Sequence, residues 1–121
     1  MSKKIALIED DTMLQEMYQT KLKNENYEVV AAENGNDGYK LIESEMPDLV
    51  LLDIMMPQLD GFSVLEMLKA NEKTKNIKVV MLTNLGTDED RKKGEAMGAV
   101  DYLVKANMTP EQVTEVVRKL L

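Results

Sequence analysis

Short apolar runs recur along the chain, and each is followed by residues at helical spacing. This alternation limits the fold more than any other feature. Ile5-Ala6-Leu7-Ile8, Val29-Val30-Ala31, Leu49 to Leu52, Val79 to Leu82 and Tyr102-Leu103-Val104 read as five buried strands. Leu14, Met17, Tyr18 and Leu22 follow the first strand as one helical stripe. Tyr39, Leu41 and Ile42 begin a second helix that must end before Pro47, and Val64, Leu65 and Leu68 mark a third ending near Asn71. Residues 88–97 form the weakest helix, apolar only at Ala96 and Met97 and weakened by Gly94. The last helix has Thr109 as N-cap, Pro110 as its first residue and Gln112 completing a capping box, with Val113, Val116, Val117 and Leu120 as its buried stripe. Five βα units with continuously apolar strands predict a parallel sheet covered on both faces, and right-handed crossovers make it a doubly wound α/β sandwich. One domain over residues 1–121 accounts for the whole chain.

Composition narrows the chemistry. The sequence has no Cys and no His, so it lacks a thiolate and the commonest general base and metal ligand. Any metal must be held by oxygen, which favours Mg²⁺, Ca²⁺ or Mn²⁺. The net charge of −7 argues against a nucleic-acid surface. The apolar run Ile5–Ile8 is too short for a signal peptide or membrane span, so a soluble cytoplasmic protein is the expectation. The ten Met residues read as flexible core filling.

In an open α/β sheet, ligands bind beyond the carboxyl ends of the strands. Glu9, Asp10 and Asp11 follow the first strand, Asp53 the third, Thr83 and Asn84 the fourth, and Lys105 the fifth. Carboxylates from separate strands can hold a hard divalent cation, and without it they repel and some pKa values rise. A hydroxyl and an ammonium facing them suit a phosphoryl group. A carboxylate can also be a nucleophile that forms an aspartyl-phosphate, and Asp53, alone at the central strand, is the best placed. Asp11 or Thr12 also caps the first helix, and Gly61 is expected to serve turn geometry.

The segments "IEDD", "LLDIMMPQLDG", "VVMLTN" and "GAVDYLVK", in this order and each at a strand end, resemble those of the response-regulator receiver domains of two-component signalling. The resemblance covers the full length. It implies the (βα)5 flavodoxin-like fold with strand order 2-1-3-4-5, which chemotaxis receivers share. It implies that Asp53 is the phosphoacceptor. It also implies that Mg²⁺ is held by Asp10, by Glu9 through water, by Asp53 and by the Met55 carbonyl. Thr83 and Lys105 would contact phosphoryl oxygens, and Tyr102 would be the switch aromatic that turns inward with Thr83. The phosphoryl donor would be a partner histidine kinase or phosphotransfer protein. A downstream protein would bind the face formed by helix 4, strand 5 and helix 5, to a monomer or a phosphorylation-dependent dimer, without nucleic acid or membrane.

The chain departs from the family pattern at Ala106, where Pro is usual. A cis bond there would cost roughly 2.5–4 kcal/mol, which favours trans. Asn84 replaces a small residue and narrows access, and Glu9 replaces the commoner Asp. Two other classes fit the residues less well. A haloacid-dehalogenase-like phosphatase needs a second Asp where Met55 stands, and a cap domain. A binding module that works without phosphorylation would not need the intact acids, Thr83 and Lys105. The main expectation is therefore a phosphorylation-controlled switch rather than a conventional enzyme. It would be a stand-alone protein or phosphorelay intermediate, and a receiver cut from a longer regulator would read the same.

Overall fold

The computed structural model describes residues 2–84 and 86–121. Its strands are β1 (Lys4–Ile8), β2 (Glu28–Ala32), β3 (Leu49–Leu52), β4 (Lys78–Thr83) and β5 (Asp101–Val104). Its α-helices are α1 (Thr12–Asn24), α2 (Gly35–Glu45), α3 (Gly61–Ala70), α4 (Asp88–Ala96) and α5 (Pro110–Leu120). A 3-10 turn over Lys105–Asn107 follows β5 and is absent from the sequence reading. All strand pairs are parallel, in the order β2-β1-β3-β4-β5, so β3 is central.

Side-chain alternation along each strand divides the interior in two. Ile5, Leu7, Leu49, Leu51, Val80 and Leu82 pack under α1 and α5 with Tyr18, Leu22, Val113 and Val117. Ala6, Ile8, Val50, Leu52, Val79 and Met81 pack under α2, α3 and α4 with Ile42, Val64, Leu65 and Leu68. Both faces of the sheet are therefore covered, which is why the strands are continuously apolar.

Helix ends follow local chemistry. Asp11 caps α1, its side chain accepting from the N–H groups of Met13 and Leu14, so Thr12 is the first helical residue and not the cap. The capping box of α5 forms as read, between Thr109 and Gln112. α2 begins four residues before Tyr39 because Asn34 caps it, accepting from the Asp37 N–H at 2.8 Å. Gly35 and Gly38 in its first turn hide it from a propensity reading. A β-carbon on Gly38 would press on the Ile8 side chain, so glycine lets α2 approach β1 closely.

The methionines correct an expectation. Met56 and Met81 are buried, but Met13, Met17, Met46, Met55 and Met67 are exposed. Met17 therefore leaves the inward stripe of α1, and Gln15 takes an inward place beside Tyr18 and Leu22. Met1 lies outside the described residues.

Candidate functional site at the carboxyl edge of the sheet

Backbone pairing continues one residue past the strand ends and fixes two acids. The Asp53 N–H donates to the Ile8 carbonyl at 3.0 Å, and the Glu9 N–H donates to the Ala32 carbonyl at 3.1 Å. Both residues are buried. Gly61 lies against the first of them. A β-carbon at Gly61 would overlap the Asp53 carbonyl oxygen, while the left-handed backbone of this loop falls at Gln58. Gly61 therefore serves close approach, not the turn geometry expected of it.

Lys105 enters from the end of β5. Its ammonium donates to Glu9 Oε1 in a short ion pair and lies 3.3 Å from Asp53 Oδ2. Glu9 Oε2 accepts from the Asp11 N–H at 3.1 Å. No peptide bond among the described residues is cis, so the Lys105–Ala106 bond is trans, as the cost argument favours.

Burial dominates the electrostatics. It raises the Glu9 carboxyl to about 7 against the opposing hydrogen bonds from Lys105 and Asp11, and the nearby Asp53 charge adds to the rise. Burial also raises Asp53, only partly offset by the Lys105 charge. Burial would lower Lys105, but the hydrogen bond to Glu9 and the Asp53 charge outweigh it, and its pKa is raised. The acids are thus perturbed more by lost hydration than by mutual repulsion, the cause expected from sequence.

Glu9, Asp10 and Asp53 each offer a carboxylate oxygen within 4.8 Å of the others. Such an all-oxygen set from two strand ends, with exposed Asp10 open to water, fits a hard divalent cation that keeps part of its hydration. The hollow above it, about 210 Å³, is lined by Glu9, Asp10, Asp53, Met55, Asn84 and Lys105, among others. The structure therefore gathers these residues as expected, with Asn84 at the mouth. Thr83 is the last residue of β4 and fully buried, and it does not line the hollow. Tyr102 is already inward, 2% exposed, with Arg91 of α4 donating to its carbonyl at 3.0 Å and stacking 5.2 Å from its ring centroid.

A family model for the response regulator receiver domain matches residues 5–118. The chain belongs to that family.

Solved receivers superpose closely on this one. Chemotaxis protein CheY4 of Vibrio cholerae aligns over 100% of both chains with a TM-score of 0.93 and 25% identity. The BeF3-activated receiver domain of Klebsiella pneumoniae RstA aligns over 96% of each chain with a TM-score of 0.87 and 32% identity. By sequence, the probable transcriptional regulator ycf27 of Cyanophora paradoxa is 39% identical over 98% of this chain and 48% of its own length. The DNA-binding dual master transcriptional regulator RpaA of Synechocystis is 38% identical over 93% of this chain and 47% of its own length. The chain spans about half the length of these curated relatives. It is thus a receiver domain of the two-component response-regulator type, not a member of a conventional enzyme family.

Two residues of this receiver escaped the sequence reading. Arg91 lies in the weakest helix of the sequence, and no spacing ties it to Tyr102. Gln15 did leave a signal, as a polar residue in an inward helical register three before Tyr18.

Proposed function

We propose that the chain is a phosphorylation-controlled switch whose phosphoacceptor is Asp53. The observation that carries this reading is the meeting of Glu9, Asp10 and Asp53 within 4.8 Å, with the Lys105 ammonium 3.3 Å from Asp53. The cation these residues would hold is Mg²⁺, through Asp10, Asp53 and the Met55 carbonyl, and through Glu9 by way of water. Bound there, Mg²⁺ would offset the negative charge of the acids and of the phosphoryl oxygens.

In the transfer step an Asp53 carboxylate oxygen attacks the phosphorus of a phosphohistidine on a partner protein. A phosphorus–oxygen bond forms, the phosphorus–nitrogen bond breaks and the partner's imidazole leaves as the neutral ring, its nitrogen taking a proton from water. Lys105 stabilises the charge on the transferring group, being held by Glu9 beside the nucleophile. Thr83 would donate its hydroxyl to a phosphoryl oxygen once β4 shifts toward the site, and Tyr102 would secure its inward position with it. Water attacking the phosphorus restores the carboxylate and resets the switch.

The partners this reading calls for are a histidine kinase or phosphotransfer protein and a downstream protein on the α4-β5-α5 face, in the cytoplasm. The transcriptional-regulator relatives support a transcriptional output.

The test is incubation with acetyl phosphate and Mg²⁺. A hydroxylamine-labile adduct should form on the wild type and be lost in Asp53→Asn. Equal labelling of the variant would overturn the assignment.

A further inference from the structure

Glu9 and Asp10 sit where β1 and β2 part, so something must hold their backbone. The ladder between these strands ends at the pair Ile8 and Ala32. Beyond it, β1 turns into Asp10 and α1, while β2 turns through Glu33 and Asn34 into α2. The Glu9 N–H still reaches the Ala32 carbonyl, at 3.1 Å. The Glu9 carbonyl would need the next donor on the neighbouring strand, and divergence removes it.

Gln15 supplies that donor from the first turns of α1. Its Nε2 donates to the Glu9 carbonyl at 3.1 Å and to the Ala32 carbonyl at 3.0 Å. Its Oε1 accepts from Gln19 Nε2 at 3.3 Å, so both ends of the carboxamide are engaged. The side chain is buried, in a register whose next inward residues, Tyr18 and Leu22, pack the core. An apolar residue would fill this place at lower desolvation cost, but it could not join two carbonyls that the sheet no longer pairs.

We infer that Gln15 is a positioning residue for the divalent-cation site, stapling the separating ends of β1 and β2 so that the Glu9 and Asp10 carboxylates converge on Asp53. Both peptide groups of Glu9 are fixed, its N–H by Ala32 and its carbonyl by Gln15, which sets the direction of its side chain toward Lys105 and Asp53. The carbonyl that Gln15 holds belongs to the same peptide as the Asp10 N–H, so the orientation of Asp10 is inherited. The inference rests on the cation-binding part of the proposed function.

The experiment is a Mg²⁺ titration of the full chain followed by ¹⁵N amide shifts at Asp10 and Asp53. Gln15→Met keeps the volume and removes both donors. Gln15→Asn keeps the amide but is too short to span both carbonyls, and serves if the first variant folds poorly. Val117→Ala, in the core beneath α5, lowers stability without touching Glu9. We expect either Gln15 variant to bind Mg²⁺ at least about fivefold more weakly and to move the Asp10 amide nitrogen resonance before any metal is added. Val117→Ala should bind like the wild type. Affinity within about twofold of wild type in the Gln15 variants, or equal weakening in Val117→Ala, would overturn the positioning role alone. A wild type with no saturable Mg²⁺ response at Asp10 and Asp53 would overturn the cation site as well.

Discussion

Glu9 is an ionisable residue that the fold almost wholly removes from water. Its ordinary value is 4.5 and its folded value about 7. Between the two, the folded chain holds a proton that the unfolded chain has lost, so stability falls as pH rises through this window. Lys105, whose pKa is raised from 10.5, contributes stability that is lost only as pH climbs from there through its folded value, outside the window. Glu9→Gln carries no such proton. Its stability relative to wild type should therefore increase from about pH 5 to about pH 8 in the absence of metal, as read by urea unfolding at each pH. A difference independent of pH would mean that Glu9 is already ionised when the chain folds. The site acids were legible because each follows an apolar strand without a break, where an unpaired charge needs a reason. Their pairing was not. Lys105 and Glu9 lie 96 residues apart, and only the packed sheet decides that Lys105 meets Glu9 more closely than Asp53.

Among the α-helices, α4 has the fewest buried residues. Of its residues only Gly94 is buried, and the rest of its sequence, DEDRKKGEA, is charged or small. Its side-chain attachments are Arg91, through the Tyr102 carbonyl and ring, and Lys93, whose ammonium lies 4.3 Å from the Phe62 ring centroid. α5 differs, being tied to α1 by the pairs Lys21–Glu111 and Arg118–Glu25 and seated by Val113 and Val117. Arg91→Ala should speed amide hydrogen exchange in α4 about tenfold, the equivalent of about 1.4 kcal/mol, and leave α1 and α5 unchanged. Equal acceleration in all three helices would show that Arg91 supports the whole fold instead. Sequence reading found the weak helix with nearly its observed bounds, because a missing apolar stripe is visible in composition. It lost the start of α2, because two glycines demanded by close packing look the same as two glycines in a loop.

At the scale of the molecule, the strands belong to both cores at once. Neighbouring residues of β3, such as Leu49 and Val50, point into opposite layers. Neither layer can come apart while the other persists. Leu65→Ala beneath α3 and Leu22→Ala beneath α1 should each cost about 2–5 kcal/mol and lower one shared transition, with calorimetric and van't Hoff enthalpies equal. Two transitions in either variant would refute the coupling. The doubly wound architecture agrees with five apolar runs separated by helices, and the strand order is the one the family resemblance implies.

The parallel sheet also gives the molecule a polarity. Every acid of the site, with Thr83 and Lys105, stands at the edge where strands end. Each helix returns to the edge where strands begin. Lys78, the first residue of β4, reaches the carbonyl of Leu120 at the end of α5, and the carbonyl of Lys3 receives the N–H of Glu28 at the start of β2. A label or tether attached at Lys3 or at the end of α5 would therefore hang from the far side of the body. It would leave the mouth of the hollow clear for a docking donor. It could sense what happens there only through the strands and helices that run between the two edges.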